Sequence, residues 1–176
     1  MKNTKFALFT ISLLFFFGAN LFAQSSASAT AEVKAQLKKG LSIQNLDGDL
    51  DFGEIILTGS ATTQTIAPNS GVRFLVTGHP GKNVTVSFSN INLTNDAWVA
   101  ANGGNNDVLP FTADVDETGS SSTYTNANNV NSGDQVALVN NSGVGNLYLW
   151  LGGSIAISAD QEQGDYTGTF TMTVAY

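Results

Sequence analysis

Several stretches of the sequence carry side chains able to do chemistry. Asp47-Gly48-Asp49-Leu50-Asp51 spaces three carboxylates two residues apart. Such spacing opens a calcium loop, because a hard cation gathers several oxygen ligands from a tight turn. The pattern then fails: a calcium loop needs glycine after the third acid and a later bidentate glutamate, whereas Phe52 stands there and begins a strand. A hairpin turn selects Asp and Gly for backbone reasons alone. Asp47, Asp49 and Asp51 are therefore a calcium candidate only, and neither metal nor cofactor is expected.

Asp114, Asp116 and Glu117 offer paired carboxylates, the requirement for glycoside hydrolysis, in which one acid has a raised pKa and the second lies across the scissile bond. Alternation puts Asp114 and Asp116 on one face of a strand with Val115 opposite, and a solvated strand end explains them, since exposed acids are the norm. His79, the one histidine, sits beside Pro80 and Gly81 in a turn. A Ser/His/Asp arrangement is defined by spatial geometry, which spacing here does not supply. No catalytic residue is assigned, and the protein is read as non-enzymatic. Tyr148 and Trp150 fall on one side of a strand whose other side carries Leu147, Leu149 and Leu151. If the leucines fill the core, the two rings face outward as candidate contacts for a glycan or a protein partner. Packing beneath neighbouring loops is the alternative.

The elements that position these residues follow from the rest of the chain. Of 176 residues, none is cysteine, so no disulfide or thiolate site exists and stability rests on a hydrophobic core. Lys2 and Lys5 precede the apolar run Phe6 to Phe17, and Leu21-Phe22-Ala23 places a small residue before Gln24, the order of a secretory signal. Residues 1–23 are expected to be cleaved and residues 24–176 to form the exported domain, in the periplasm, at the cell surface or secreted. The apolar run is shorter than the roughly 20 residues a bilayer span requires, so no membrane insertion is expected after cleavage. Cleavage leaves five basic and 14 acidic residues, a net charge of −9, with no Lys or Arg after Lys82. Nucleic acid binding, which needs clustered cations to neutralise phosphates, is excluded on these grounds.

Period-2 alternation dominates the mature chain. Ala27, Ala29, Ala31, Val33, Ala35 and Leu37 alternate with polar residues and read as a first strand. Further strands are expected at Leu41 to Leu46, Leu50 to Leu57, Thr62 to Ala67, Val72 to Thr77 and Val84 to Ser89, separated by Asp, Asn, Gly and Pro turn residues. Residues 90–146 are rich in Asn, Gly and Ser and read as long loops with short apolar islands at Val108 to Val115 and Val136 to Val139. Strands return at Leu147 to Ser158 and Asp165 to Tyr176. In the last, Tyr166, Phe170, Met172, Val174 and Tyr176 share one face, and Gly168 permits close packing against the strand. Many short strands with frequent turns predict an all-β fold, a two-sheet sandwich.

The segments Leu50-Asp51-Phe52-Gly53, Phe74 to Gly78 followed by Pro80-Gly81, the Gly152-Gly153 step and the closing GDYTGTFTMTVAY together resemble the bacterial secreted family called domain of unknown function 4402, over nearly all of residues 31–176. The closing pattern is also similar to spore coat protein U-like and chaperone-usher pilin subunits, in which a glycine precedes a C-terminal aromatic residue at fixed spacing; here Gly164 and Tyr176 lie 12 positions apart. The resemblance implies an immunoglobulin-like sandwich and supplies no activity. Two functions follow as expectations. One is a structural or adhesive surface protein that self-associates, or binds an envelope protein, with Val33, Leu37, Gly164, Tyr166, Phe170 and Tyr176 in its assembly or closing strands. The other is a monomeric binding module for polysaccharide or an envelope partner, using Tyr148 and Trp150. Residues 24–40 serve in the first as a strand given to a neighbour and in the second as the domain's own strand, and the sequence leaves both open.

Overall fold

The computed structural model describes residues 28–37 and 39–176. The expected signal, residues 1–23, lies outside the described residues. The chain divides into two units, Met1–Gln36 and Leu37–Tyr176. In the first, residues 28–36 are exposed and belong to no strand. The strand expected over Ala27 to Leu37 is thus not formed over its described residues, 28–37, where no N–H or C=O group finds a partner edge and the alanines bring little apolar area to bury. The one ion pair there, Lys34 to Glu32 at 3.0 Å, is about three-quarters exposed on both sides and adds little.

The second unit is an antiparallel two-sheet sandwich. Its elements are β1 (Ser42–Asn45), β2 (Thr62–Ile66), β3 (Val72–Gly78), β4 (Asn83–Phe88), β5 (Ile91–Thr94), α1 (Asp96–Asn102), β6 (Val108–Glu117), β7 (Asn128–Asn129), β8 (Gln135–Ala137), β9 (Val139–Asn141), β10 (Val144–Ile157) and β11 (Met172–Ala175). The larger sheet has the order β1-β3-β10-β6-β5, with β2 and β9 also on β10 and β7 on β6; the smaller is β11-β4-β8. No helix of the described residues is long and apolar enough to cross a membrane.

β10 organises the larger sheet. Residues 145–151 pair with β3 and residues 153–157 with β2, so two strands share one edge of β10 end to end. On the other edge lie β9 and then β6. The break between β2 and β3, a short 3-10 turn at Pro68–Ser70, presses backbone onto backbone. A Cβ on Gly152 would lie 2.6 Å from the Pro68 nitrogen, and one on Gly71 would enter the Leu151 carbonyl. The glycines at Gly152 and Gly71 are therefore required by close approach. Leu147, Leu149, Leu151, Ile155 and Ile157 face inward, as alternation predicted, and meet Val84 and Val86 of β4 and Met172 of β11 in one core. Burying each such aliphatic side chain is worth about 1.5–3 kcal/mol.

Two expected strands are not formed as drawn. Residues 50–57 lie outside any strand, and of Asp165 to Tyr176 only β11 and an isolated bridge from Thr167 to Thr94 pair. The cause is local. After β1 the Asn45 side chain closes a turn, its amide donating to the Gly48 carbonyl at 2.7 Å and its oxygen accepting from the Asp47 and Gly48 N–H groups. That turn lifts the chain off the larger sheet, and residues 49–61 make no backbone–backbone hydrogen bond to another described residue. A helix, α1, also forms where loop was expected. Asn95 with Asp96 ahead of an Ala-rich run is a helix-start signal that the surrounding Asn and Gly obscured.

Replacing Gly152 by Val should lower unfolding free energy by on the order of 3 kcal/mol through overpacking, measured by urea denaturation. Gly40→Ala, with nothing within 4 Å of its Cβ, should stay within about 0.5 kcal/mol of the parent.

Candidate functional site

The smaller sheet covers only part of the larger sheet's inner face. Over the rest, the two segments left outside the sheets stand apart and flank a groove. It consists of two adjoining cavities of about 510 and 750 Å3 that share Leu50, Asp51, Phe52, Leu93 and Tyr166. One wall is residues 48–57, the other residues 161–170 leading into β11. The floor is core: Leu109 and Phe111 of β6 and Leu151, Ile155 and Ile157 of β10. Apolar side chains reach solvent on the first wall, Ile56 at 74% and Leu57 at 42% exposure. β11 pairs with β4 on one edge alone, so its second edge is unpaired among the described residues.

Each wall is fixed by polar contacts. At the head of the first, Asp47 grips Arg73 in a bidentate pair, with Nε and Nη2 both at 2.7 Å, and also accepts the Arg73 backbone N–H at 3.0 Å. The Arg73 side-chain hydrogen bonds hold the Asp47 carboxyl below the usual range, and Asp47 raises Arg73 in turn. The second wall is held by Asn95 and Asp107. Asn95, fully buried, donates to the Asn105 and Gln163 carbonyls at 3.1 and 3.2 Å and accepts from the Asp107 N–H at 2.8 Å. Asp107 accepts from the Glu162 N–H at 3.0 Å, the Gln161 amide at 2.7 Å and the Tyr166 hydroxyl at 3.4 Å. Backbone N–H groups of Glu162 and Val108 lower its pKa, and burial raises that of Tyr166. Further along, a Cβ on Gly168 would lie 2.7 Å from the Leu93 side chain, and one on Gly164 3.0 Å from that of Asn95. The close packing expected at Gly168 is thus onto β5.

The sequence-predicted residues fall as follows. Tyr166 and Phe170 line the groove, and Gly164 lines it beside Asn95. Tyr176 lies at the opposite end, its hydroxyl accepting the His79 N–H at 2.7 Å and donating to the Lys39 carbonyl at 3.3 Å. Val33 and Leu37 are exposed, at 93% and 87%. The calcium candidates do not converge: Asp47 is spent on Arg73, Asp51 accepts from Gly53 N–H at 2.8 Å, and no group of three potential metal ligands occurs among the described residues. Asp114 and Asp116 share one face with Val115 buried opposite, but both accept from the Asn129 amide, and Asp116 also from the Tyr124 hydroxyl, whose pKa is pushed up to about 12 by that bond. Glu117 caps the Gly119 N–H at 2.6 Å.

For Trp150 the structure agrees with the packing alternative. Its side does face away from the leucines, yet the ring is 7% exposed. Tyr124 packs edge-on at 5.3 Å, Arg73 stands 5.6 Å above the ring, and the indole N–H donates to Thr118 at 2.9 Å. No face is open for a sugar to stack on, and Tyr148 remains half-buried without its expected partner. Asn95, Asp107 and Gln161, which build the second wall, were not singled out in the sequence, because they are three more polar residues in polar stretches.

A family described as Domain of unknown function (DUF4402) matches residues 41–176, which spans the whole sandwich. No curated protein matches the chain.

Trp150→Ala should cost about 3–5 kcal/mol of stability, seen as a lowered thermal midpoint, and leave glycan-array binding unchanged. For pH, the folded pKa values of Asp47 and Asp107 lie below their unfolded values, so their stabilisation is present above about pH 4 and lost as pH falls through the folded values. Asp107→Asn should be less stable than the parent at pH 7, and the gap in thermal midpoint should narrow as the pH falls below about 4 and through the lowered folded value.

Proposed function

The chain belongs to the family of this domain of unknown function, and we propose that this member is a non-enzymatic, exported structural protein whose open groove accepts an extended polypeptide strand in building a surface assembly. The observation that carries the proposal is that two segments outside the sheets, residues 50–57 and residues 165–170, the latter tied to β5 only by the Thr167 to Thr94 bridge, face each other across an apolar floor. An inserted strand meets both needs of such a site. Its main chain can hydrogen-bond to backbone groups of the walls that no strand of the described residues takes up, and alternate side chains enter the gap above Phe111 and Ile155. The order of charged, apolar and small residues at the N-terminus supports export.

The monomeric glycan-binding alternative draws on Tyr148 and Trp150, and the burial of Trp150 weighs against it. The carboxylates at Asp114, Asp116 and Glu117 serve as hydrogen-bond acceptors for neighbouring loops, which supports the non-enzymatic reading.

Size-exclusion chromatography with light scattering of residues 24–176 tests the proposal. Assemblies larger than a monomer are expected at micromolar concentration. Leu57→Asp, at a half-exposed position on the groove wall, should reduce them to monomers with little change in thermal midpoint. A strict monomer, or assemblies indifferent to Leu57→Asp, would refute it.

A further inference from the structure

The first wall of the groove is tied to the body of the sandwich through one residue. Among the described residues, 48–61 make hydrogen bonds only with one another and with Asn45. The head of the wall is fixed just before them, where the Leu46 N–H donates to the Arg73 carbonyl at 2.9 Å and Asp47 accepts from the Arg73 side chain and N–H. Arg73 is therefore the post that holds the mouth of the groove.

The Asp47 and Arg73 side chains are 31% and 33% exposed. An ion pair this open to water is worth little when it must also order two flexible side chains, so it can hold a wall only if Arg73 is ordered beforehand. The ordering comes from the outer face of the larger sheet. The guanidinium lies 5.6 Å over the Trp150 ring, and Nη1 donates to the Ser122 carbonyl at 3.4 Å. Trp150 is fixed in turn by the edge of Tyr124 at 5.3 Å and by Thr118, and Tyr124 by its hydroxyl on Asp116. Thr118, Ser122 and Tyr124 all belong to residues 118–127, the loop from β6 to β7. The loop thus holds Arg73 by one nitrogen and, through Trp150, by its face, which leaves Nε and Nη2 aimed at Asp47. Only the planar guanidinium fork can make all of these contacts at once.

We infer that residues 118–127 position the first wall of the groove from the opposite face of the sheet, with Tyr124 and Arg73 as positioning residues for strand acceptance. The inference rests on the groove being a strand acceptor. Drawing Tyr124 off Trp150 frees Arg73, loosens Asp47 and leaves residues 48–57 without a fixed end. The second wall, held by Asn95 and Asp107, is not on this route. A partner that engages the loop acts on the groove without entering it.

Hydrogen exchange followed by mass spectrometry, at concentrations below those of assembly, reads the mouth through the N–H groups of Leu46, Asp47 and Gly48, all hydrogen-bonded in the parent. In Tyr124→Ala they should exchange at least about tenfold faster, while the Glu162 and Thr167 N–H groups of the second wall keep their rates. Light scattering at higher concentration should show weakened assembly in the same variant. Tyr124→Phe, which keeps a ring against Trp150, should retain parental exchange and assembly. Arg73→Lys should reproduce Tyr124→Ala, and the double variant should add nothing further, as groups on one route do not add. Unchanged exchange at residues 46–48 in Tyr124→Ala overturns the inference. So does exchange that rises equally in both walls, the mark of a general loss of stability, and so does a loosened mouth with undiminished assembly. The exchange readout does not depend on assembly. Should Leu57→Asp leave the assemblies intact, the acceptor reading is lost, and exchange at the mouth still decides whether the loop positions the wall.

Discussion

The inner face of the larger sheet is apolar along β10 from Leu147 to Ile157, and apolar surface left in water costs about 25 cal/mol per Å2. Covering that face is the constraint to which the other features answer. The smaller sheet has three strands of at most six residues, enough for the half near Leu147 and Leu149. Over Leu151, Ile155 and Ile157 the cover is two segments that belong to no sheet. The sandwich is closed at one end and split at the other.

What keeps the split open is polar. A groove with an apolar floor would collapse if its walls were free to move, and here each wall is tied at several points. Asp47 and Arg73 fix the first, while Arg73 also lies over Trp150, so the outer face of the larger sheet is coupled to the groove's mouth. Asn95, Asp107 and the Thr167 to Thr94 bridge fix the second. Hydrogen bonds to charged groups are stronger than average, and those spent on the walls hold the groove in shape.

Much of the sandwich was legible. The leucines of β10 face inward as alternation required, because a period of two has only two faces and one of them was uniformly apolar. Gly168 marked close approach, as glycine in a strand does. The residues that hold the walls were not legible. Asn95 and Asp107 sit among many Asn and Asp residues, and only the fold shows which of them turns inward to accept buried N–H groups. Trp150 was left between contact and packing for the complementary reason: an outward position on a strand is exposed only if no loop returns over it, and Tyr124 does return.

The sequence by itself determined the alternating pattern, hence an all-β chain with one apolar face per strand, together with the acidic balance and the alternating basic extension ahead of the domain. Tertiary structure decided which of the strand-like segments found partners. Residues 50–57 and 165–171 were expected to pair as strands, but pairing needs a second edge at 4.7–4.9 Å; the Asn45 turn leaves the first segment without one among the described residues, and the second meets β5 only at the Thr167 to Thr94 bridge. Side-chain patterning is local and can be read along the chain. Backbone satisfaction depends on what lies alongside, and that is fixed only when the chain is folded.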